Sequence, residues 1–227
     1  MKKYTLTNEV KRPMGVFAYR IQALKDFSDV KAGDYGGYVS TEANLSQEGD
    51  CWIYNDAMSL ENGRVEQNAK LYNNARIYGN AAIGDNARMY DNSEAFESAI
   101  IFDDAKLYSN SRAYGRCEVF GNAEMTDVSK ASQQAWVGRD VVLKGEAKVT
   151  EKVSKTPIVV SGLYYNVTIM DNHLSVDCVT RTREEWMEIS NRELLLFDGK
   201  PAVRFFNEYR EMLNTIAKLH QSNTSNL

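Results

Sequence analysis

Four tyrosines, Tyr54, Tyr72, Tyr90 and Tyr108, recur at every eighteenth position. Lys70, Arg88 and Lys106 lie two residues ahead of the last three, and Trp52 lies two ahead of the first. If all these side chains face outward, an aromatic row runs beside a basic row, a combination that stacks bases or sugars and attracts phosphates. The competing reading is packing. Like rings stacked along a repeat stabilise it without any ligand, and duplication of one repeat copies a tyrosine automatically. Packing or a subunit interface outweighs ligand binding here. A second row carries Leu60, Tyr78, Phe96 and Tyr114 with Arg76 and Arg112 nearby, and a third carries Phe102 and Phe120 beside Ile100 and Trp136. The third is apolar enough to expect burial against another chain or a cap.

Acid–base chemistry has few candidates. A general base must come within hydrogen-bond reach of its proton, and the chain has two histidines. His173 falls in the turn Asp171-Asn172-His173 and is the weak catalytic candidate, with a solvated turn residue as the plain alternative. His220 reads as a surface residue. His173 and Cys178 could meet across a hairpin, but two ligands do not make a metal site. Cys51 and Cys117 read as buried small residues at different corners of the repeat.

The spacing of these rows comes from a six-residue repeat that runs seventeen times without insertion from Cys51 to Lys152, as in Ala69-Lys-Leu-Tyr-Asn-Asn and Ala75-Arg-Ile-Tyr-Gly-Asn. A fixed short period indicates a solenoid. The first position is small (Ala57, Ala69, Ala75, Ser93, Cys117), and the third is mostly aliphatic (Ile53, Leu71, Ile77, Met89, Leu107), with Ser59, Ala95, Ala113 and Ala131 as exceptions. Two inward positions separated by one outward position is strand alternation. The fifth and sixth positions are rich in Asn, Asp and Gly, which tolerate positive φ and turn corners. Four strand residues and a two-residue corner, three times over, close a coil of eighteen residues. Seventeen hexads make nearly six coils, roughly 27 Å of stack at about 4.8 Å per layer.

Composition narrows the setting. The 227 residues carry a net charge of −4, with 43% apolar and 26% charged side chains. Residues 1–50 hold seven acidic and seven basic groups, residues 51–152 fifteen and twelve, and residues 153–227 nine and eight. Without a polarised segment, bulk attraction to nucleic acid is disfavoured. Three cysteines fit a reducing compartment. Met1-Lys-Lys-Tyr-Thr-Leu-Thr-Asn lacks the apolar core of a signal peptide, and there is no apolar run long enough to span a membrane. A cytoplasmic location is expected. Outward positions carry charged and aromatic residues rather than threonine ladders, which argues against ice binding.

The open ends of a solenoid expose strand edges and need covers. Residues 1–38 are expected as an N-terminal cap that includes Tyr19-Arg-Ile-Gln-Ala-Leu and the turn Gly33-Asp-Tyr-Gly-Gly. Residues 39–153 form the solenoid, with 39–50 as an irregular first coil, and residues 154–227 form a β-hairpin plus helices. In the hairpin Tyr165, Val167 and Ile169 alternate before Asp171-Asn172, and Leu174, Val176 and Cys178 alternate after it. Thr182-Arg-Glu-Glu185 is a capping box that opens a short helix with Trp186. Pro201 starts a last helix to about His220 with Val203, Phe206, Leu213 and Ala217 on one stripe, and 221–227 is expected to fray.

Ile83-Gly-Asp-Asn-Ala-Arg resembles the aliphatic-Gly-x-x-small-x pattern of the hexapeptide-repeat superfamily. That resemblance implies a mainly β fold, a left-handed parallel β-helix, here with an N-terminal cap and a small C-terminal α+β cap. Tyr19-Arg-Ile-Gln-Ala-Leu-Lys-Asp-Phe, Gly33-Asp-Tyr-Gly-Gly-Tyr-Val, Asn44-Leu-Ser-Gln-Glu-Gly-Asp-Cys-Trp-Ile and Gly162-Leu-Tyr-Tyr-Asn-Val-Thr-Ile-Met-Asp look like YdcK-like bacterial and prophage transferase-like proteins. Membership would bring no assigned catalytic residue with it. It implies either a phage or prophage accessory protein that binds a host factor or anionic ligand without catalysis, or, as the alternative, an acyl- or acetyltransferase using acyl-coenzyme A. Such transferases commonly place a histidine base between subunits of a trimer. The absence of histidine from the repeat, and of an extruded loop, favours the binding reading. Metal is not expected, since the carbonic anhydrases of this fold use three histidines. Self-association as a dimer or trimer, or another protein partner, is expected.

Overall fold

The computed structural model describes residues 2–138, 140–177 and 179–222. Each hexad contributes a two-residue strand, beginning with Trp52–Ile53, Met58–Ser59 and Arg64–Val65. Each strand pairs in parallel with the one eighteen residues on: Trp52 with Lys70, Met58 with Arg76, Arg64 with Ala82. Every third hexad therefore stacks, and the three series form the three sides of a β-solenoid of about six turns. This is the three-sided, mainly β architecture expected from the repeat.

The corners work through one residue. The fifth position has positive φ in every hexad from Asn55 (53°) to Gln133 (57°), and again at Gly145 (61°). Asn, Asp and Gly suit this conformation, but Glu61, Gln67, Glu97 and Gln133 also adopt it, so closure of the coil overrides local preference. Positive φ was expected at the sixth position too, and there it is not found among the described residues. The sixth residue instead links coils through its side chain: Asn62 Nδ2 donates to Asn80 Oδ1 at 3.0 Å, and Asn68 Nδ2 to Asn86 Oδ1 at 3.2 Å. First and third positions point inward. Ala69, Leu71, Ala75, Ile77, Ala87 and Met89 are fully buried in one continuous core, with each larger aliphatic side chain contributing roughly 1.5–3 kcal/mol.

At the N-terminal end, strands Tyr4–Lys11, Ala18–Ala23 and Tyr35–Val39 form an antiparallel meander. Its last strand pairs in parallel with Met58–Ser59, so the cap extends one solenoid sheet. The expected turn over Gly33-Asp-Tyr-Gly-Gly is thus mostly strand. Gly36 serves close approach: a Cβ there would lie 2.7 Å from the Ile53 carbonyl oxygen and 2.7 Å from the Trp52 ring. Lys3 is buried, and its Nζ donates to the carbonyls of Glu48, Gly49 and Cys51, closing the corner below the first full coil.

At the other end the expected hairpin is the centre of a four-stranded antiparallel sheet, Ile158–Val160, Val167–Ile169, His173–Val176 and Val179–Thr182. The outer strands are no shorter than the inner pair, but Ile158 is exposed and the rest of both is only half-buried, which blurs their alternation in the sequence. Cys178, assigned to the hairpin pattern, lies outside the described residues. Helix α1 (Arg183–Glu188) opens on the expected Thr182/Glu185 capping box. Helix α2 (Asn191–Ser222) begins ten residues before Pro201 and kinks at Asp198 and Gly199, so the expected last helix is its second part. The first part carries a missed start signal: Ser190 Oγ and Glu193 form reciprocal cap bonds. Phe206, Leu213 and Ala217 pack with Trp186 and Leu174 in a second core. Residues 223–227, most of the expected frayed tail, lie outside the described residues.

Candidate functional site: the tyrosine face

The coil pitch sets the spacing of the tyrosine row. Tyr72 N–H donates to the Met89 carbonyl and Tyr90 N–H to the Leu107 carbonyl, both at 2.8 Å, so successive rings sit one strand layer apart. The rings stack flat: Tyr54 on Tyr72 at 4.6 Å and 8°, Tyr72 on Tyr90 at 4.9 Å and 5°, and Tyr90 on Tyr108 at 5.0 Å and 9°. All four are half-buried. A planar ligand inserted between two rings needs about 7 Å, twice a carbon contact distance. Base or sugar stacking between rungs therefore does not fit. The row presents phenol edges and hydroxyls to solvent instead.

The basic row is partly spent. Trp52, expected at its foot, is buried between Tyr4 and Phe27 rather than outward, because the cap folds over the first coil. Asp29, from the same cap, binds Lys70 Nζ at 2.6 Å and accepts from the Tyr54 hydroxyl at 2.8 Å. The Lys70 hydrogen bond, helped by Tyr54, lowers the Asp29 carboxyl to about 2. Burial, then Asp29, pushes the Tyr54 phenol up. Lys106 pairs with Glu124 at 3.3 Å. Arg88 is exposed at mid-row, and hydrogen bonding to Tyr90 is the first cause that raises its pKa. The polar strip is therefore Tyr72, Arg88, Tyr90 and Tyr108.

On the second face Tyr78, Phe96 and Tyr114 stack at 5.0 Å, while Leu60 is buried under the cap against Ala18 and Tyr38. On the third, Phe102 stacks on Phe120 at 5.2 Å and Trp136 tilts over Phe120 under Lys152. Ile100 and Trp136 stay exposed, so among the described residues no cap covers the patch.

The histidines sit apart from all three rows. His173 is half-buried and opens a strand opposite Thr182, so it is not a free turn residue. His220, expected at the surface, is only 7% exposed. The second part of α2 packs this end inward, and burial, then Lys155, lowers its pKa. Cys51 and Cys117 are buried and unpaired, as expected, and burial pushes the Cys117 thiol up to about 12. The proposed pairing of His173 with Cys178 lies outside the described residues. Among the described residues no three His, Cys, Asp or Glu side chains are placed to hold a metal. No helix is long and apolar enough to cross a membrane.

The unbroken six-residue repeat and the parallel stacked coils fit the hexapeptide-repeat, transferase-like superfamily. The chain is similar to a protein of Escherichia coli (strain K12) named uncharacterized acetyltransferase YdcK, 37% identical over 73 residues. The match covers 29% of this chain and 22% of that protein, so the chain spans about a fifth of the length of the curated relative it matches. No family model matches.

Proposed function

We propose that this protein is a rigid, non-catalytic binding scaffold that docks an acceptor-rich, anionic partner along its tyrosine face. The observation that carries the reading is the flat, evenly spaced tyrosine stack with exposed Arg88 at its centre. Rings locked against one another hold their hydroxyls at fixed intervals, so binding there loses little side-chain entropy. A phage or prophage accessory role against a host factor, and self-association through the apolar Ile100–Trp136 patch, are parts of this reading. The deciding experiment is native mass spectrometry of gently purified protein, comparing the unmodified chain with an Arg88→Ala, Tyr72→Phe, Tyr90→Phe triple variant. Phenylalanine keeps the stack and removes the hydroxyls. The scaffold reading expects a retained partner or ligand mass that the triple variant loses while its β circular-dichroism signal persists. Identical retention by both proteins refutes the tyrosine face as the site.

The second reading is acyl or acetyl transfer from acyl-coenzyme A, favoured by the name of the E. coli relative. His173 would be its base. It requires turnover of acetyl-coenzyme A that disappears on His173→Ala, whereas the scaffold reading expects no turnover in either protein.

A further inference from the structure

The second aromatic row stops before its sheet does. Tyr78, Phe96 and Tyr114 stack at 5.0 Å, one ring per coil. The next two residues of that column are Ser132 and Thr150. Tyr114 N–H donates to the Ala131 carbonyl and Ser132 N–H to the Val149 carbonyl, both at 2.9 Å, so the strand ladder runs on without the rings. One face of Tyr114 packs on Phe96, and the other has no ring contact among the described residues. The terminal sheet docks at this level: the Thr168 hydroxyl accepts from Lys148 N–H at 3.1 Å, and the Ser175 hydroxyl donates to the Lys148 carbonyl at 3.4 Å. What remains is a cleft of about 190 Å³ between Tyr114, Ser132 and Thr150 on the solenoid and Ser175, Asp177 and Thr180 on the sheet. A cavity of about 150 Å³ is enough for benzene, so this one has room for a single six-membered ring and a small substituent. Between two rungs of a stack a ring does not fit, but at the end of a stack no rungs have to separate.

The charges restrict the occupant further. Lys130 and Lys148 also line the cleft, and they stand directly opposite each other on paired strands, where like charges repel. One rung earlier Arg112 is neutralised by Glu94 at 3.0 Å. Among the described residues the Lys130 and Lys148 ammoniums have neither an ion pair nor a hydrogen bond, and neither is a buried atom, so both reach solvent. The acid on the lining is Asp177, whose Oδ1 accepts from Asn166 N–H at 3.1 Å. Two lysines against one aspartate leave one positive charge, which suits a monoanion better than a doubly charged phosphate ester. The Ser175 and Thr180 hydroxyls bond each other, and the Thr150 hydroxyl is buried, so these three are walls rather than grips. Lys130 precedes Ser132 by two residues, about 6.6 Å along the strand, a distance that a ring substituent and a lysine side chain span together. We infer that this cleft binds a small planar aromatic carboxylate, its ring on the free face of Tyr114 and its carboxylate on Lys130 and Lys148. The site is separate from the tyrosine face and does not depend on the scaffold reading.

The test is isothermal titration calorimetry of the full chain with benzoate, salicylate and nicotinate, each repeated as its neutral amide, and with cyclohexanecarboxylate, which keeps the charge without the flat ring. At least one of the three aromatic acids should bind with Kd below about 1 mM. Its amide and cyclohexanecarboxylate should bind about fivefold or more weakly, as should the acid itself to Lys130→Met and to Lys148→Met. Ser132→Phe supplies the missing ring from the protein itself and should abolish binding while Tm holds or rises. The ligand comparisons use the unmodified protein, so they decide the matter even where a variant folds poorly. The inference is overturned if none of the three acids binds at about 10 mM, or if the amide or cyclohexanecarboxylate binds as well as the best of them. Unchanged binding by folded Ser132→Phe also overturns it.

Discussion

Replacing Tyr90 with alanine removes the middle of the four-ring stack. Two ring contacts go, at 4.9 Å and 5.0 Å, each near parallel. Stacked aromatic pairs contribute about 0.5–1.5 kcal/mol each beyond area burial, so their loss costs about 1–3 kcal/mol. The ring is half-buried, and losing that burial adds about 1 kcal/mol. Tyr90→Ala should therefore destabilise by about 2–4 kcal/mol, a fall in Tm of roughly 5–15 °C for a chain of this size. Tyr90→Phe keeps both contacts and loses only a hydroxyl beside exposed Arg88, so it should cost under about 1 kcal/mol. Thermal and urea unfolding followed by far-ultraviolet circular dichroism measure both. If Tyr90→Ala melts within about 0.5 kcal/mol of the unmodified protein, the rings are passengers on a coil held by its backbone and core. If Tyr90→Phe costs as much as Tyr90→Ala, the hydroxyl rather than the stack carries the energy.

Ile77 is fully buried, so Ile77→Asp places an unpaired charge inside the coil and should abolish soluble folded protein; a soluble variant with normal melting would contradict the inward assignment of the third position. Ser111 Oγ, buried in a column with Ser93 and Ser129, has no partner among the described residues. Ser111→Ala should be neutral or stabilising by up to about 1 kcal/mol, and a loss of that size in a thermal melt would mean the hydroxyl is satisfied. Asp29 is lowered from 3.8 to about 2 in the fold. Its contribution is fully present above about pH 3.8 and is lost as pH falls through about 2. Melting curves of Asp29→Asn should flatten the loss of Tm across that window relative to the unmodified chain, and parallel slopes would show that the cap contact adds nothing.

The solenoid was legible because a six-residue period repeats one local instruction many times. A small residue, an aliphatic residue and a corner residue in each hexad leave one way to bury the apolar positions, and chance agreement across the run is negligible. The tyrosine row followed from the same arithmetic, since every eighteenth residue must stack. The flanks were harder. Gly36 and Gly37 look like turn residues, yet they sit in a strand because the first coil crowds them. The opening turns of α2 announced themselves only through Ser190 and Glu193, and the outer strands of the terminal sheet, though no shorter than the inner pair, are only partly buried and so lack an apolar face that a period would mark.

Repetition therefore determined the core, the three faces and the order of the aromatic rows, because those depend on contacts at a constant sequence separation. Which cations remain free depended on the tertiary structure. Asp29 reaches Lys70 and Tyr54 across the cap, and Trp52 is covered by Tyr4 and Phe27. The burial of His220 at the end of α2 belongs to the same class. These contacts join segments separated by irregular numbers of residues, and no periodic signal encodes such a distance. They form only when the caps close on the ends of the stack.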